Sequence, residues 1–561
     1  MMNLENRTHV NQNPTNLLCH NQMPLKQTIQ KAEPLIIANE KKNFIRPGKH
    51  GERVKFFKEL YLNLCPSQII DQETRRLIQV LDLHEAIDHT ETATGSALLM
   101  RSLLQPPTDL HYIRSRQESL DEIASNDKLR CALMDFIREF GKGEHALYKF
   151  FNKDLYALFP YTDVKLFRKS AANITNTFKA LPGAESSYLK TLLSYLHSYK
   201  GSSLDQMMNG RIFKTFRGLK SEGEVGFLTP KLKFKPHRFT EWILAGPAVA
   251  LTPFVYEKVG FVPSLSPLMS TIGLVWTGAY IFYCLLFKPI QDTEKYIEPL
   301  RAKCVEDIGF HRTMDAVGMI DELLSFYHVA DRCPHAFTIP RVTDEDHHFF
   351  EATCLKNPVL AKHRTDFVPN NVRMNGARLT FISGPNSGGK TTLCKSIVHN
   401  QLLAQIGSYV MAEKAAINIA DRISYQAPKF DGLHDSEGRF GTELSRTRDI
   451  FYSTTPKSLV IFDELAEGTT YEERLHESFG ILSDFHTIGN NTVIVTHNHS
   501  LVDSFMNEKK GQCFMTEYDG ENPTYRIIPG ISRVSHAARI AEKIKFSKKD
   551  RRRYLKDKGY L

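Results

Sequence analysis

The first residues that could do chemistry form a glycine-rich run directly after the apolar residues 379–382. The run has the pattern GxxxxGK[ST], in which glycines let successive backbone N–H groups turn toward phosphate oxygens. We expect Lys390 to contact the β- and γ-phosphates of ATP and the Thr391 hydroxyl to bind Mg²⁺. The predicted nucleotide-binding residues are Gly384, Pro385, Asn386, Ser387, Gly388, Gly389, Lys390, Thr391 and Thr392.

A pair of carboxylates follows a second apolar run, residues 458–462. We expect Asp463 to hold Mg²⁺, directly or through water. Glu464 is predicted to polarise the attacking water as general base. An acidic pair after a strand is weak evidence by itself, but downstream of a phosphate-binding loop it predicts a hydrolytic site.

A third apolar run, residues 493–495, leads to Thr496 and His497. A lone histidine after a strand often has a structural role. In ABC-type ATPases a histidine at this place contacts the γ-phosphate, so we predict a catalytic role for His497 beside Lys390 and Glu464. The segment 467–470, between the carboxylates and this histidine, suits a loop at a subunit interface.

The periodicity of apolar residues predicts a helical half followed by an α/β half that contains the phosphate-binding loop. No internal repeat is visible. The predicted segments are a disordered leader at 1–50, a helical core at 51–160, a lever region at 161–238, a transmembrane hairpin at 239–288, returning helices at 289–340, the ATPase domain at 341–535 and a basic C-terminal helix at 536–561.

Two uncharged runs, 242–256 and 259–287, give the hairpin prediction. The stretch from Pro267 to Phe287 is long enough to cross a hydrocarbon core of about 30 Å. Basic residues flank the runs, including Lys235, Arg238 and Lys288, which predicts that both ends face the cytoplasm. The ATPase domain is then expected at the inner face of a cell membrane. The alternative is a buried helical hairpin in a protein without a membrane anchor.

Composition sets wider bounds. The net charge of +9 permits contact with nucleic acid or anionic lipid without requiring it. Nine cysteines without a CxxC pair argue against a zinc module or a disulfide framework and favour a reducing compartment.

The motifs together resemble one family. The runs GPNSGGKTT, FDELAEGTT and VTHNHS closely resemble the ATPase domain of MutS, the DNA mismatch-repair family. Residues 87–99 and 357–359 resemble segments of the same family ahead of its phosphate-binding loop, so the likeness covers roughly residues 75–545. It implies a helical core and lever domain followed by an ABC-type P-loop ATPase domain. It also implies that the protein uses ATP and Mg²⁺, dimerises through the ATPase domain and acts on DNA.

The sequence departs from the family in three places. We expect the family's mismatch-recognition and connector domains to be missing, because only about 50 polar residues stand ahead of the predicted helical core. Gly438 stands where the family has a serine that reaches the partner's nucleotide, and Ser436 or Arg439 are the candidate substitutes. The uncharged hairpin falls where the family has its DNA clamp, between stretches near 163–218 and 292–328 that correspond to its lever helices.

Three functions follow as hypotheses. The first is a MutS-family ATPase that couples ATP turnover to dimer movements on DNA, in transactions similar to mismatch repair. The alternative is a membrane-anchored mechanochemical ATPase that acts on a membrane or protein partner. The third is a nucleotide-gated scaffold with little hydrolysis, against which the presence of Glu464 argues.

Overall fold

The structure is a computed structural model. It describes residues 69–151, 160–227, 230, 232–233, 266–362, 364–385, 388–428, 438–465, 471–519, 522–532 and 544–560. The predicted leader and the first uncharged run therefore lie outside the described residues.

The described part of the first half is helical apart from one small sheet. Its helices are α1 (Gln72–Leu77), α2 (Val80–Ile87), α3 (Ala93–Leu104), α4 (Leu110–Ser125), α5 (Asp127–Phe151), α6 (Pro160–Phe178), α7 (Ser187–Tyr199), α8 (Ser203–Asn209), α9 (Ser266–Asp292), α10 (Glu298–Glu306) and α11 (Ile308–Arg332). Strands β1 (Ile212–Thr215), β2 (Gly218–Ser221) and β3 (Leu232–Lys233) form an antiparallel sheet in the order β2-β1-β3.

Helix α11 is the buried centre of this half, and α3 approaches it closely. A Cβ on Gly95 would lie 2.3 Å from an Asp321 carboxylate oxygen, so the approach requires glycine. The Asp321 carboxylate accepts hydrogen bonds from the Thr92 N–H and hydroxyl at 2.8 and 2.6 Å. From the other side, Glu144 of α5 accepts from the Thr94 N–H at 2.7 Å. Two buried acids thus satisfy the free N–H groups at the start of α3.

A buried ion pair joins α4 to α11. Arg116 and Glu322 lie 2.8 Å apart, and their side chains are 2% and 1% exposed. The guanidinium also lies 5.6 to 5.8 Å from the centres of the Tyr112, Tyr188 and Phe326 rings. Because both charges are withdrawn from water, each depends on the other for compensation.

Helix α9 contains the predicted span Pro267–Phe287. Its apolar side chains face outward: Leu274, Val275 and Phe282 are 68%, 67% and 58% exposed. The Tyr161 hydroxyl donates to Asp292 at 2.9 Å and attaches the end of the helix to α6.

The predicted transmembrane hairpin includes helix α9 and residues outside the described part of the chain. Among the described residues, no single helix is long and apolar enough to cross a membrane. One bent pair, Thr271–Tyr283 and Leu286–Glu306, meets the criterion by length and composition across a 43° break. The predicted transmembrane hairpin is therefore not supported, and its first arm, 242–256, lies outside the described residues.

The second half is α/β, with two sheets. Its strands are β4 (Arg341–Thr343), β5 (Phe350–Leu355), β6 (Asn370–Met374), β7 (Leu379–Ser383), β8 (Lys414–Asn418), β9 (Ile423–Gln426), β10 (Leu459–Asp463), β11 (Asn491–Val495), β12 (Gln512–Asp519) and β13 (Asn522–Pro529). The larger sheet has the order β13-β12-β7-β11-β10-β9, and the smaller has the order β4-β8-β5-β6.

Helices of this half alternate with its strands. They are α12 (Pro358–Ala361), α13 (Lys390–Gln405), α14 (Gly438–Ser453), α15 (Tyr471–Ile488), α16 (His499–Asn507) and α17 (Lys548–Asp557). Strands β9, β10, β11, β7 and β12 are mutually parallel, and β13 returns antiparallel to β12. All five residues of β11 are buried, as expected for the centre of a parallel sheet covered on both faces.

These elements confirm the predicted fold class, helices followed by an α/β ATPase domain. The segment boundaries given above stay predictions.

Two fully buried histidines make the stability of the ATPase half depend on pH. The His348 ring lies between Asn491 Nδ2 at 3.0 Å and Gln401 Oε1 at 3.2 Å, and His399 Nε2 contacts the Ile78 carbonyl oxygen at 2.6 Å. Burial lowers the pKa of each ring to about 4. Both rings are therefore neutral in the folded chain at neutral pH.

We expect the unfolding free energy to fall as the pH drops from about 6.5 toward 4, because only the unfolded histidines take up protons in that range. From pH 8 to pH 5 each ring accounts for about 2 kcal/mol of this loss. In denaturant titrations, His348→Gln should reduce the loss by about that amount. His476→Gln, at a side chain 89% exposed, should leave it unchanged. An equal loss in both variants would contradict the prediction.

Candidate nucleotide and catalytic site

The candidate site lies at the carboxyl ends of three neighbouring parallel strands. The glycine-rich loop follows β7, the acidic pair ends β10, and His497 follows β11, which lies between the other two strands. Ligands of open α/β sheets bind at this edge, beyond the ends of the strands. The strand order therefore brings together three motifs that are far apart in sequence.

The loop folds over its own lysine. Lys390 Nζ donates to the carbonyl oxygens of Gly384 at 2.6 Å and Pro385 at 2.9 Å. Burial lowers the pKa of Lys390, although the nearby charge of Asp463 opposes the shift. Gly389 has φ 92° and is the N-cap of helix α13, so the N–H groups of the first turn face the loop.

Thr516 of β12 packs directly beneath the loop. A Cβ on Gly384 would lie 2.1 Å from the Thr516 hydroxyl oxygen, and a Cβ on Gly388 would lie 2.8 Å from Thr516 Cγ2. Gly384 also has φ 136°, which L side chains rarely adopt. Both glycines are therefore required by space as well as by the path of the loop.

Thr391 and Asp463 meet across the site. The Thr391 hydroxyl donates to Asp463 Oδ2 at 2.9 Å. The Tyr425 hydroxyl, on β9, donates to the same oxygen at 3.3 Å. Burial raises the pKa of Tyr425 well above its usual value, so its phenol keeps its proton and remains a donor.

Glu464 has an unusual backbone for its residue type. Its φ is 68°, in the left-handed region, and its N–H donates to the Val495 carbonyl oxygen at 3.0 Å. His497 Nε2 lies 3.4 Å from the Glu464 carboxylate. Burial first, and then the positive charge of Lys390, lower the pKa of His497. Non-glycine residues in this region are concentrated at functional sites.

Tyr525 lies beside the loop and was not predicted from the sequence. A Cβ on Gly389 would lie 3.7 Å from its ring, the residue has φ 61°, and its side chain is 52% exposed. Tyr525 lies within β13, and the Asn370 side chain donates to its carbonyl oxygen at 3.0 Å. No spacing or motif marks Tyr525, because it comes from a hairpin more than a hundred residues downstream.

The structure gives the positions of most predicted site residues, whose roles stay predictions. Thr392 lies in the first turn of α13, where its carbonyl oxygen accepts from Ser396. Helix α14 begins at Gly438, so the altered signature segment forms its first turn. Several predicted residues lie outside the described part of the chain, namely Asn386, Ser387, Ser436 and residues 467–470.

The donor set suits Mg²⁺ bound with a nucleotide. One hydroxyl and one carboxylate, Thr391 and Asp463, are already within hydrogen-bonding distance of each other. Mg²⁺ commonly uses one or two protein oxygens and takes its other ligands from phosphates and water. Among the described residues, no group of three or more His, Cys, Asp or Glu could hold a metal by itself. The arrangement therefore fits a metal that arrives with its triphosphate.

Two parts of the chain match models of known protein domains. Residues 380–549 match the model of MutS domain V, which is an ABC-type ATPase domain and implies ATP as its nucleotide. Residues 62–326 match the model of MutS domain III. The chain is therefore a member of the MutS family, with domain III followed by domain V.

Individual relatives agree with this placement. Each is named DNA mismatch repair protein MutS. The protein of Haloquadratum walsbyi is 34% identical over 188 residues, 33% of this chain and 20% of the relative. That of Acetivibrio thermocellus is 32% identical over 254 residues, 43% and 28% of the two chains. That of Caldicellulosiruptor bescii is 25% identical over 458 residues, 74% and 52%. The chain thus spans about half or less of the length of these relatives.

We expect Gly384→Ala to weaken binding of a non-hydrolysable ATP analogue by about tenfold or more, because the added methyl group meets Thr516 and the backbone is strained. Titration calorimetry with the full chain measures this. The control is Gly480→Ala in α15, where a Cβ meets nothing within 4 Å. Unchanged analogue binding by the Gly384 variant would show that the loop is not the nucleotide site.

Proposed function

We propose that the chain binds and hydrolyses ATP with Mg²⁺ at this site. Lys390 and the N–H groups of the loop bind the phosphates, and Thr391 and Asp463 hold the metal ion. Glu464 acts as general base on the attacking water, and His497 contacts the γ-phosphate beside it. Tyr525 offers a flat apolar face against which the base of the nucleotide stacks.

The observation that carries this proposal is the convergence of four side chains around one loop. Thr391 contacts Asp463 at 2.9 Å, and Glu464 lies 3.4 Å from His497. The proposed metal-binding pair, Thr391 and Asp463, thus lies next to the proposed general base and His497. In-line attack on a γ-phosphate requires such an arrangement. The lowered pKa of His497 supports a neutral ring, which leaves the Glu464 carboxylate available to accept a proton from water.

We propose further that the chain works as a homodimer through the ATPase domain. The altered segment at the start of α14 then faces the partner's nucleotide, with Gly438 in place of the family's serine. Ser436 or Arg439 supplies the polar contact that Gly438 lacks. ATP binding closes the dimer and hydrolysis releases it, and this cycle moves the helical half through its contacts with the ATPase half.

The first target that we propose is DNA. The relatives are named for DNA mismatch repair, and the net charge of +9 suits a polyanionic partner. The proposal covers transactions similar to mismatch repair, on branched or otherwise shaped DNA. Phosphate contacts made by Lys and Arg predict an affinity that falls steeply with salt.

A second target, a membrane, is favoured by helix α9. Apolar side chains that are half or more exposed cover this helix, as at Leu274, Val275 and Phe282. Such a continuous exposed apolar surface marks an interaction site. Part of α9, Thr271–Tyr283, forms with Leu286–Glu306 the one bent pair among the described helices that could cross a bilayer core by length and composition. In this alternative the ATPase lies at the inner face of a cell membrane.

For the catalytic assignment, we expect Glu464→Gln to lower ATP turnover by about a hundredfold or more and to leave ATP bound, because an amide cannot accept the proton of water. Phosphate release and filter binding measure the two properties. The control is Glu472→Gln, at an exposed carboxylate in the first turn of α15. Turnover that persists in the Glu464 variant would show that another group is the base.

The two targets are separated by one fractionation and one titration. If α9 inserts in a bilayer, the full chain stays with membranes after an alkaline carbonate wash, and Val275→Asp combined with Phe282→Asp releases it. Release of the unmodified chain would exclude the membrane alternative.

If DNA is the target, the chain binds branched duplexes at low salt, and its affinity falls as the salt concentration rises. No binding at low salt would exclude that target.

A further inference from the structure

Residues 69–80 form a segment that we call the strap, and it lies along the outer edge of the larger sheet. Ile70 pairs in parallel with Ile423 of the edge strand β9, and the Ile423 N–H donates to the Ile69 carbonyl oxygen at 2.8 Å. Ile70 and Thr74 are fully buried. The strap therefore continues the sheet by one short bridge and then turns into helix α1.

One end of the strap holds helix α14, whose first turn carries the family's signature segment. Arg446 of α14 donates from Nη2 to Asp71 Oδ2 at 2.6 Å and to the Thr74 hydroxyl at 3.3 Å. Its Nε lies 3.5 Å from a Glu73 carboxylate oxygen. The Arg446 side chain is 18% exposed, so these contacts are partly shielded from water. A single guanidinium thus contacts three acceptors within four residues of the strap.

The other end of the strap holds α13, the helix that follows the phosphate-binding loop. Lys395 Nζ donates to Gln79 Oε1 at 2.6 Å, and His399 Nε2 contacts the Ile78 carbonyl oxygen at 2.6 Å. Gln79 has φ 58°, so the chain turns sharply at this contact. Because the pKa of His399 is lowered to about 4, its ring is neutral and donates to the carbonyl at neutral pH.

The middle of the strap reaches the metal-binding carboxylate through β9. The Tyr425 N–H donates to the Thr74 hydroxyl oxygen at 3.0 Å, and the Tyr425 hydroxyl donates to Asp463 at 3.3 Å. Thr74 therefore shares its hydroxyl between Tyr425 and Arg446. Within three hydrogen bonds, the metal-binding side chain is connected to the signature helix.

We infer that Arg446 is a positioning residue. Through its contacts with the strap, Arg446 sets the position of α14 relative to the partner's nucleotide. That position depends on whether nucleotide is bound at the loop and Asp463. This inference rests on the proposed dimeric ATP hydrolysis. Polar contacts of the strap reach α14, α13 and, through Tyr425, Asp463. A displacement of Asp463 or α13 on nucleotide binding therefore changes the position of α14. Arg446 itself touches none of Lys390, Thr391 or Asp463, which makes its effect separable from nucleotide binding.

The test compares Arg446→Ala with Arg448→Ala, two residues further along the same helix. Arg448 is 62% exposed and pairs with its neighbour Asp449. We expect Arg446→Ala to lower kcat for ATP by about tenfold and to change KM by no more than about twofold, whereas Arg448→Ala changes neither. Arg446→Lys keeps one charge-assisted contact and should recover part of kcat. Asp71→Asn, which keeps an N-cap acceptor for α1, should lower kcat without adding to the effect of Arg446→Ala.

An unchanged kcat in Arg446→Ala would overturn the inference, and so would a parallel loss of analogue binding, since Arg446 would then support the fold of the site in general. Hydrogen exchange gives a readout independent of turnover. Amides of residues 70–80 should exchange more slowly with the ATP analogue, and Arg446→Ala should abolish the difference. No difference in the unmodified chain would overturn the inference, whereas absent turnover with this difference present would overturn only the proposed hydrolysis.

Discussion

The hydrogen bond between Thr391 and Asp463 joins the two parts of the site that the rest of the fold must hold in place. Thr391 comes after β7 and Asp463 is the last residue of β10, and the two strands are separated in the sheet by β11. Strands two positions apart lie about 9.6 Å apart, so the loop and the first turn of α13 must reach across the end of β11. His497, at the end of β11, consequently lies in the gap beside Glu464. The order and register of these parallel strands therefore determine which side chains meet at the site.

The motifs of the site can be predicted from the sequence, but the residues that surround them cannot. The loop, the acidic pair and His497 each have a local pattern, an apolar strand followed by polar residues, and the structure places them at one sheet edge. Tyr525, Thr516 and Tyr425 have no such pattern. Tyr425 and Thr516 reach the site because β9 pairs with β10 and β12 pairs with β7, and Tyr525 reaches it because β13 pairs with β12. All three contacts depend on the register of the strands. The positive φ values of Glu464 and Tyr525 are likewise set by tertiary packing.

The helical half shows the same division. Apolar periodicity predicts that helices form, and Pro267–Phe287 does lie within one helix, α9. Periodicity does not indicate which helices are central. Helix α11 is central because its acids Asp321 and Glu322 bind α3 and α4, and an acid on an apolar helix face is usually interpreted as an exposed residue. The outward direction of the side chains of α9 is also a tertiary property, since the same sequence suits a buried helix.

The buried pair of Arg116 and Glu322 limits how this half of the chain can diverge. Removing either charge leaves the other buried without compensation. This lowers the free energy of unfolding by about 3–5 kcal/mol, a large share of the stability of an ordinary domain. Exchange of both residues for apolar ones of similar volume is close to neutral by the same physics. A lineage that loses this ion pair therefore passes through a poorly folded intermediate or changes both positions together. Descendants should carry either the complete pair or neither charge.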